Sequence, residues 1–393
     1  MNQNAFTPTK GTLIVLLLAS MLPLMGAAAV SPALPLISQA FPDVPESIIS
    51  MIITLPSLAV ALTGIFIGMA VDRFGKVPVF ILSLLLFTIA GVSGYFLESL
   101  PMILLGRVLL GIGLGGIMTS VTTLITSYYS GKTRDKILGY EGAFIGLGML
   151  VLETGGGTLA LISWREPFLI YLIGLVILLG VVAAVREPAA DDGERSASGQ
   201  DSRKKINIPI TLGISLTMFV YGFMLFLLPT KLPYLVSGLL SGSTMVTGML
   251  LGTIGVFSAV SGAFYGKISL SLSRMTILSL AFLMIACGLA LISTAASVSL
   301  IGIGAALTGF ATGMVFPTLI SWLSHVTPLA SMGFVMGIIT MIAYLGEFSN
   351  SWIIPQIQAA VGSQTGVFGV AAVICLITGI LFGCLRAGEK RRG

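Results

Sequence analysis

The chain has 393 residues, of which 56% are hydrophobic and only 9% charged, with 48 glycines and a formal net charge of +5. Ordinary soluble domains carry about 25% charged residues, so a soluble enzyme or binding module is excluded and bilayer-spanning helices are implied. The basic excess is no argument for a nucleic-acid partner, because its distribution follows the membrane.

Apolar windows fall near 11–37, 47–71, 78–97, 101–126, 137–160 and 167–185, and again near 208–229, 243–265, 275–295, 298–323, 331–355 and 364–386. Each of the twelve is long enough for the roughly 20 residues a spanning helix needs. A cleaved signal peptide is the other reading of the first window, with Lys10 before it and Ala27, Ala28 and Ala29 inside it. The apolar run continues through Pro32–Pro35, and an even helix count would be lost, so a retained span is expected. The three cysteines, Cys287, Cys375 and Cys384, sit singly in apolar runs without metal or disulfide spacing.

With the N-terminus inside, Lys10, Arg73, Lys76, Lys132, Arg134, Lys136, Lys267, Arg274, Arg386 and the basic tail lie on the cytoplasmic side. Only Arg165 and Lys231 fall in outer loops, so both termini are expected in the cytoplasm. Residues 186–207 form a polar linker of mixed charge. It separates 1–185 from 208–393, six windows each. A weak repeat supports that division. PALP at Pro32–Pro35 has a counterpart in PTKLP at Pro229–Pro233, and Gly68–Lys76 has a degraded one in Gly262–Arg274.

Ionisable groups inside the windows are few. A charged group at the centre of a spanning helix costs at least ~2.5–3.5 kcal/mol on insertion scales, so it normally faces a cavity or a partner. Arg107, Glu153 and Glu347 are the candidates, with Glu141 nearer the cytoplasmic end and expected to pair with Lys136 or cap a helix. Glu153 lies fourteen residues after Gly139 and Glu347 fourteen after Gly333. Equivalent helices would place both acids at one depth, roughly 21 Å along, in the outer half of the membrane. Two readings stand for them: proton carriers or binders of a cationic cargo, and neutral packing acids or partners of Arg107. Arg107 in turn is either a coupling residue or an arginine bonded to backbone carbonyls. The glycines after it, Gly111, Gly113, Gly115 and Gly116, are read as helix packing, since no strand precedes them to make a dinucleotide loop. Tyr221, Phe223, Phe226, Phe310 and Phe316 could line a cavity or simply pack. His325 is expected in a solvated loop. No nucleophile triad, P-loop, metal cluster or redox motif is visible, so neither an enzyme nor a cofactor is expected.

Gly68–Val79 reads GMAVDRFGKVPV. The order Gly68-x-x-x-Asp72-Arg73-x-Gly75-Lys76 after a second apolar run resembles the loop 2–3 signature of the major facilitator superfamily, where it acts as a latch on the conformational change. Arg107 followed by Gly111 looks like that family's helix 4 motif, in which the Arg is linked to proton coupling. Ser163-Trp164-Arg165-Glu166-Pro167-Phe168 is similar to its Trp-Arg-x-x-Phe lead-in to helix 6. Leu152–Gly157 stands where exporters of the family show Gly-Pro-x-x-Gly-Gly; the paired glycines are kept and the Gly-Pro is not, so export is not secured by motif.

The resemblance is greatest to the twelve-helix drug:proton antiporter branch. It implies an all-α membrane protein, twelve transmembrane helices in two pseudo-symmetric six-helix bundles. By that reading the chain is a monomeric, multi-pass transporter of a bacterial cell membrane, driven by the proton gradient, exporting small amphipathic or cationic compounds. A specific metabolite or metallophore exporter, a proton symporter and a transporter-like ligand sensor are the alternatives.

Overall fold

A computed structural model describes residues 8–23, 29–188, 207–240 and 243–390. The linker 186–207 lies almost wholly outside the described residues, as do Ala27 and Ala28. Among the described residues the chain is helical throughout, with no strand. Eleven helical stretches are long and apolar enough to cross a bilayer. The first window differs: it is broken into α1 (Lys10–Ala19), a 3₁₀ turn (Ser31–Ala33) and α2 (Leu34–Ala40). Pro32 and Pro35 stand in the first turns of the 3₁₀ turn and of α2, where a missing backbone N–H is tolerated.

Then follow α3 (Glu46–Phe74), α4 (Lys76–Phe96), α5 (Leu100–Tyr128) and α6 (Gly131–Leu159). A 3₁₀ segment (Glu166–Leu172) leads into α7 (Ile173–Ala184). The remaining helices are α8 (Ile208–Leu240), α9 (Thr244–Ser271), α10 (Arg274–Ser293), α11 (Val298–Val326), α12 (Leu329–Val361) and α13 (Gln364–Lys390). Ser243, Ser273 and Ser297 cap α9, α10 and α11 by accepting a backbone N–H of the first turn, as short hydroxyl side chains at that position do.

Two expectations fail at α8 and α11. Lys231 is not in a loop: α8 runs eleven residues past Pro229, through Pro233, and Lys231 is buried in it. Pro233 has no N–H for the Pro229 carbonyl, and the Ser31 hydroxyl donates to that carbonyl instead. His325 is exposed, but in the last turn of α11, with Nδ1 2.7 Å from the Ser321 carbonyl.

Buried apolar side chains form two cores. One gathers residues from Leu16 to Val185 together with Phe226 and Tyr234 of α8, and the other runs from Ile214 to Phe382. The cores meet along two antiparallel seams, α6 against α9 and α3 against α12. We call the end carrying Arg73, Lys76 and Arg274 the basic end, and the opposite one the far end.

The seams are tight only toward the far end. A methyl at Gly157 would lie 2.3 Å from the Thr244 carbonyl oxygen, and one at Gly248 would lie 2.2 Å from that of Glu153. The same helix faces continue toward the basic end through Gly142 and Gly139 on α6, Gly266 on α9, Gly64 and Gly68 on α3, and Gly337 and Gly333 on α12. A methyl at any of these meets nothing within 4 Å. The molecule is closed at the far end and parted at the basic end.

Candidate functional site

Three layers lie between the two cores, stacked along α8 from the basic end outward.

The innermost layer holds Glu347 of α12, 6% exposed, whose Oε2 accepts from the Ser57 hydroxyl of α3 at 2.5 Å. One turn farther, Thr54 and Ser351 share a hydrogen bond of 2.6 Å. Tyr344, one turn before Glu347, donates its hydroxyl to Met118 Sδ of α5 at 3.0 Å. Tyr221 of α8 lies within electrostatic reach of Glu347 and Tyr344, and its ring centre is 6.3 Å from that of Phe316 of α11. Asn350 ties α12 to α8 by donating to the Phe223 carbonyl at 2.9 Å. A carboxylate, two phenols, a phenyl ring and a thioether thus meet where both cores contribute side chains. Such a set suits a cation with an apolar body.

The middle layer is a small cavity of about 20 Å³ lined by Met149 and Glu153 of α6, Leu225, Phe226 and Pro229 of α8, and Leu251 and Ile254 of α9. Glu153 is 1% exposed, and neither carboxyl oxygen has a hydrogen-bond partner among the described residues.

The outer layer closes the far end. Lys231 of α8 pairs with Glu46 at the start of α3 and donates to Gln358 Oε1 of α12 at 2.7 Å. Ser38 of α2 and Tyr234 of α8 share a hydrogen bond of 2.8 Å.

Arg107 belongs to none of these layers. It is fully buried inside the first core, donating to the Gly91 carbonyl of α4 at 2.9 Å and to the Tyr171 hydroxyl at 3.0 Å. Its guanidinium stacks 4.8 Å from the Phe168 ring centre and 5.0 Å from that of Tyr171. Gly91 and Gly94 make room for those rings, since a methyl there would lie 2.4 and 2.1 Å from them. Among the described residues no ion pair joins Arg107 to Glu153 or Glu347, although Tyr171 lies within electrostatic reach of both Arg107 and Glu153.

At the basic end Gly75 has φ +94° and divides α3 from α4. The Glu187 carboxylate accepts from the Lys76 and Val77 backbone N–H groups, both at 2.8 Å, neutralising the positive start of α4. Lys76 Nζ donates to the Ser127 hydroxyl, while Asp72 and Arg73 are exposed and form no ion pair among the described residues. Gly68 faces open space. The latch residues are together in chain and space, with the acid disengaged.

A family model described as Major Facilitator Superfamily matches residues 16–349. The chain belongs to the Major Facilitator Superfamily. It is therefore a multi-pass membrane transporter.

It is 30% identical over 160 residues to Multidrug resistance protein 1 of Bacillus subtilis (strain 168), a match covering 40% of this chain and 41% of that protein. It is 28% identical over 285 residues to the class B Tetracycline resistance protein of Escherichia coli, covering 70% of each. Among solved structures, a D-xylose-proton symporter aligns with TM-score 0.77 at 17% identity, over 95% of this chain and 96% of that one. A bacterial homologue of the lysosomal transporter Spinster, inward-facing and occupied, aligns with TM-score 0.75 at 16% identity, over 95% of this chain and 96% of that one. At such identities the structures speak for the fold alone.

Within this superfamily fold, the remaining sequence candidates divide. Tyr221 and Phe316 face one another at the inner layer, and Phe226 lines the middle one. Phe223 and Phe310 instead pack into or against the second core. Glu141 makes no ion pair with Lys136, which lies over the Tyr140 ring at 5.7 Å, because a four-residue step puts Tyr140 on its face.

The equal-depth expectation for the two acids also fails. Along the shared helix α8, Glu347 lies at the level of Tyr221 and Glu153 at that of Leu225–Pro229, so Glu153 stands about one to two turns farther from the basic end. Equal counts from Gly139 and Gly333 give equal depth only if those two glycines are level, which packing and not spacing decides.

Ser57, Met118, Tyr344 and the Glu46–Lys231–Gln358 set are functional candidates that sequence reading missed. A signal existed for two of them. Ser50, Thr54 and Ser57 step i, i+4, i+7 along an otherwise apolar run, and Tyr344, Glu347 and Ser351 step i, i+3, i+7 along α12.

Proposed function

We propose that this transporter exports small amphipathic cations in exchange for protons, by alternating access between two six-helix halves. The halves are residues 1–185 and 208–393, joined by the 186–207 linker. The observation that carries the reading is Glu347, a carboxyl group held by Ser57 across the seam and within electrostatic reach of Tyr221 and Tyr344, which in turn meet Phe316 and Met118. A buried carboxyl group beside aromatic side chains favours a desolvated monocation over a sugar, which would need many hydrogen-bonding side chains.

The positive-inside rule assigns the basic end to the cytoplasm. The parted seam is then a cytoplasmic opening, and cargo reaches Glu347 from inside. Binding there is followed by closure at the basic end and opening at the Lys231 gate. Relatives named for multidrug and tetracycline resistance support this direction. The protein works as a monomer in the bacterial cytoplasmic membrane, with both termini inside and the proton gradient as its only energy source.

The test uses proteoliposomes carrying an internal pH dye, with ethidium as cargo. Ethidium movement accompanied by opposite proton movement, lost in Glu347→Gln, is the expected result. A folded wild type that moves no ethidium and no other lipophilic cation would overturn the cargo class and leave a narrow metabolite substrate.

A further inference from the structure

The two intramembrane acids have different surroundings, Glu347 bonded to Ser57 beside two phenols and Glu153 unpartnered at a small cavity, and that difference separates their work. We propose that Glu153 is a proton-only site opened and closed by the Glu46–Lys231–Gln358 gate, distinct from the cargo site at Glu347. The inference rests on the antiport reading above and assigns which acid does which task.

Size comes first. The cavity at Glu153 measures about 20 Å³, while pockets for drug-sized ligands run to roughly 300–1,000 Å³. A cavity needs about 10–15 Å³ of such volume to hold one water molecule, which in turn needs two or more polar partners. The two unpartnered carboxyl oxygens of Glu153 supply them. The chamber therefore suits one water and a proton, and excludes cargo.

Placement decides the access. The lining comes from α6 of one half and from α8 and α9 of the other, so the chamber exists only while the halves touch at the far end. Pro229 joins chamber to gate: it lines the cavity, and its carbonyl receives the Ser31 hydroxyl from the other half. Lys231 and Tyr234 follow within about one and a half turns, bonded to Glu46, Gln358 and Ser38. Separating the halves at the far end breaks these bonds and exposes Glu153 to the outer solution in the same movement. No charged side chain of α8 or α9 lines the chamber. From the 3₁₀ segment Tyr171 lies within electrostatic reach, itself held by Arg107 of α5. Glu153 thus takes its proton from outside when the gate is open and, once the gate has closed, gives it up through the chamber water toward the parted basic end, so that the proton crosses inward as cargo leaves.

The experiment has two arms on the full-length protein. In the first, tetraphenylphosphonium is the probe, with binding measured in detergent and with counterflow and gradient-driven accumulation measured in proteoliposomes. Glu153→Gln is expected to bind the probe within about 2-fold of wild type and to retain counterflow, but to lose accumulation. Glu347→Gln is expected to lose binding by about 10-fold or more. Loss of binding in Glu153→Gln equal to that of Glu347→Gln, or undiminished accumulation, overturns the proposal.

The second arm needs no cargo. A water-soluble carbodiimide with a glycine ester labels carboxyls reached from water, and peptide mass spectrometry reads Glu153. Labelling is expected to rise several-fold in Glu46→Gln, a conservative change at a partly exposed helix start that cannot hold the ion pair. Equal labelling with and without the gate pair overturns the proposal. Wild type that binds no cation while gate-dependent labelling persists overturns only the cargo class.

Discussion

The α6–α9 seam is lined with glycines along its length and the α3–α12 seam with glycines and hydroxyl side chains, yet the two ends of each differ. At the far end Gly157 and Gly248 press against backbone oxygens, and Lys231, Glu46 and Gln358 bridge the halves. At the basic end Gly139, Gly142, Gly333 and Gly337 continue those stripes into open space. Glycine in a spanning helix serves close backbone approach. Stripes that pack at one end and stand apart at the other are one surface used in two states, and the structure records one of them.

Four substitutions test that contrast. The largest effect is expected within a half, where nothing should depend on state. Arg107→Ala leaves the buried Gly91 carbonyl and Tyr171 hydroxyl short of a donor and opens a cavity, at a cost of about 3–5 kcal/mol. Its melting temperature in detergent should fall sharply, and transport with it. Lost transport at an unchanged melting temperature would show Arg107 to be a coupling residue instead.

Next, Gly248→Leu places side-chain atoms where the Glu153 carbonyl already sits, so the far-end closure should fail. We expect a loss of about 3 kcal/mol, read by thermal melting, and raised reactivity of a cysteine introduced at Ser31. An unaltered melt would mean that the two helices do not need this approach.

Gly142→Leu makes the opposite case. Open space surrounds it in the present state, so stability should change by less than about 1 kcal/mol, while gradient-driven transport stops because the basic end can no longer close. Wild-type turnover in this variant would break the two-state reading of the stripes.

The smallest effect belongs to Glu46→Gln. Glu46 is 29% exposed, and a partly solvated pair contributes about 1 kcal/mol at most. A shift of up to about 5-fold toward the far-end-open form is expected, visible as easier labelling from the far side. A larger shift would make this pair the dominant lock.

Much of the chain was legible beforehand because bilayer physics leaves few options. Backbone groups in hydrocarbon must pair within the segment, so long apolar runs become helices almost wherever they occur. The boundaries of α3, α4, α5, α10 and α13 followed from that alone. The break between α3 and α4 falls within the Gly68–Lys76 loop motif, at Gly75, whose positive φ glycine adopts readily. The resemblance of Gly68–Lys76 and Ser163–Phe168 to one transporter superfamily was legible too.

Where the reading missed, the deciding partner came from elsewhere in the chain. Pro229 and Pro233 signal the end of a helix locally, but the Ser31 hydroxyl, about two hundred residues away, satisfies the carbonyl they strand, and α8 continues. The stripe Ser50–Thr54–Ser57 shows that a polar face exists; only packing shows that Ser57 meets Glu347.

Sequence alone determined the class of protein, its helices and the few ionisable groups buried in them, because those follow from the cost of polar groups in hydrocarbon. The tertiary structure decided which acid is held by a hydroxyl across the seam beside two phenols and which lies unpartnered at a cavity with room for one water. It also decided which end of the seam is shut. These are properties of contacts between segments, and one-dimensional periodicity assigns a residue to a face without naming what lies opposite it.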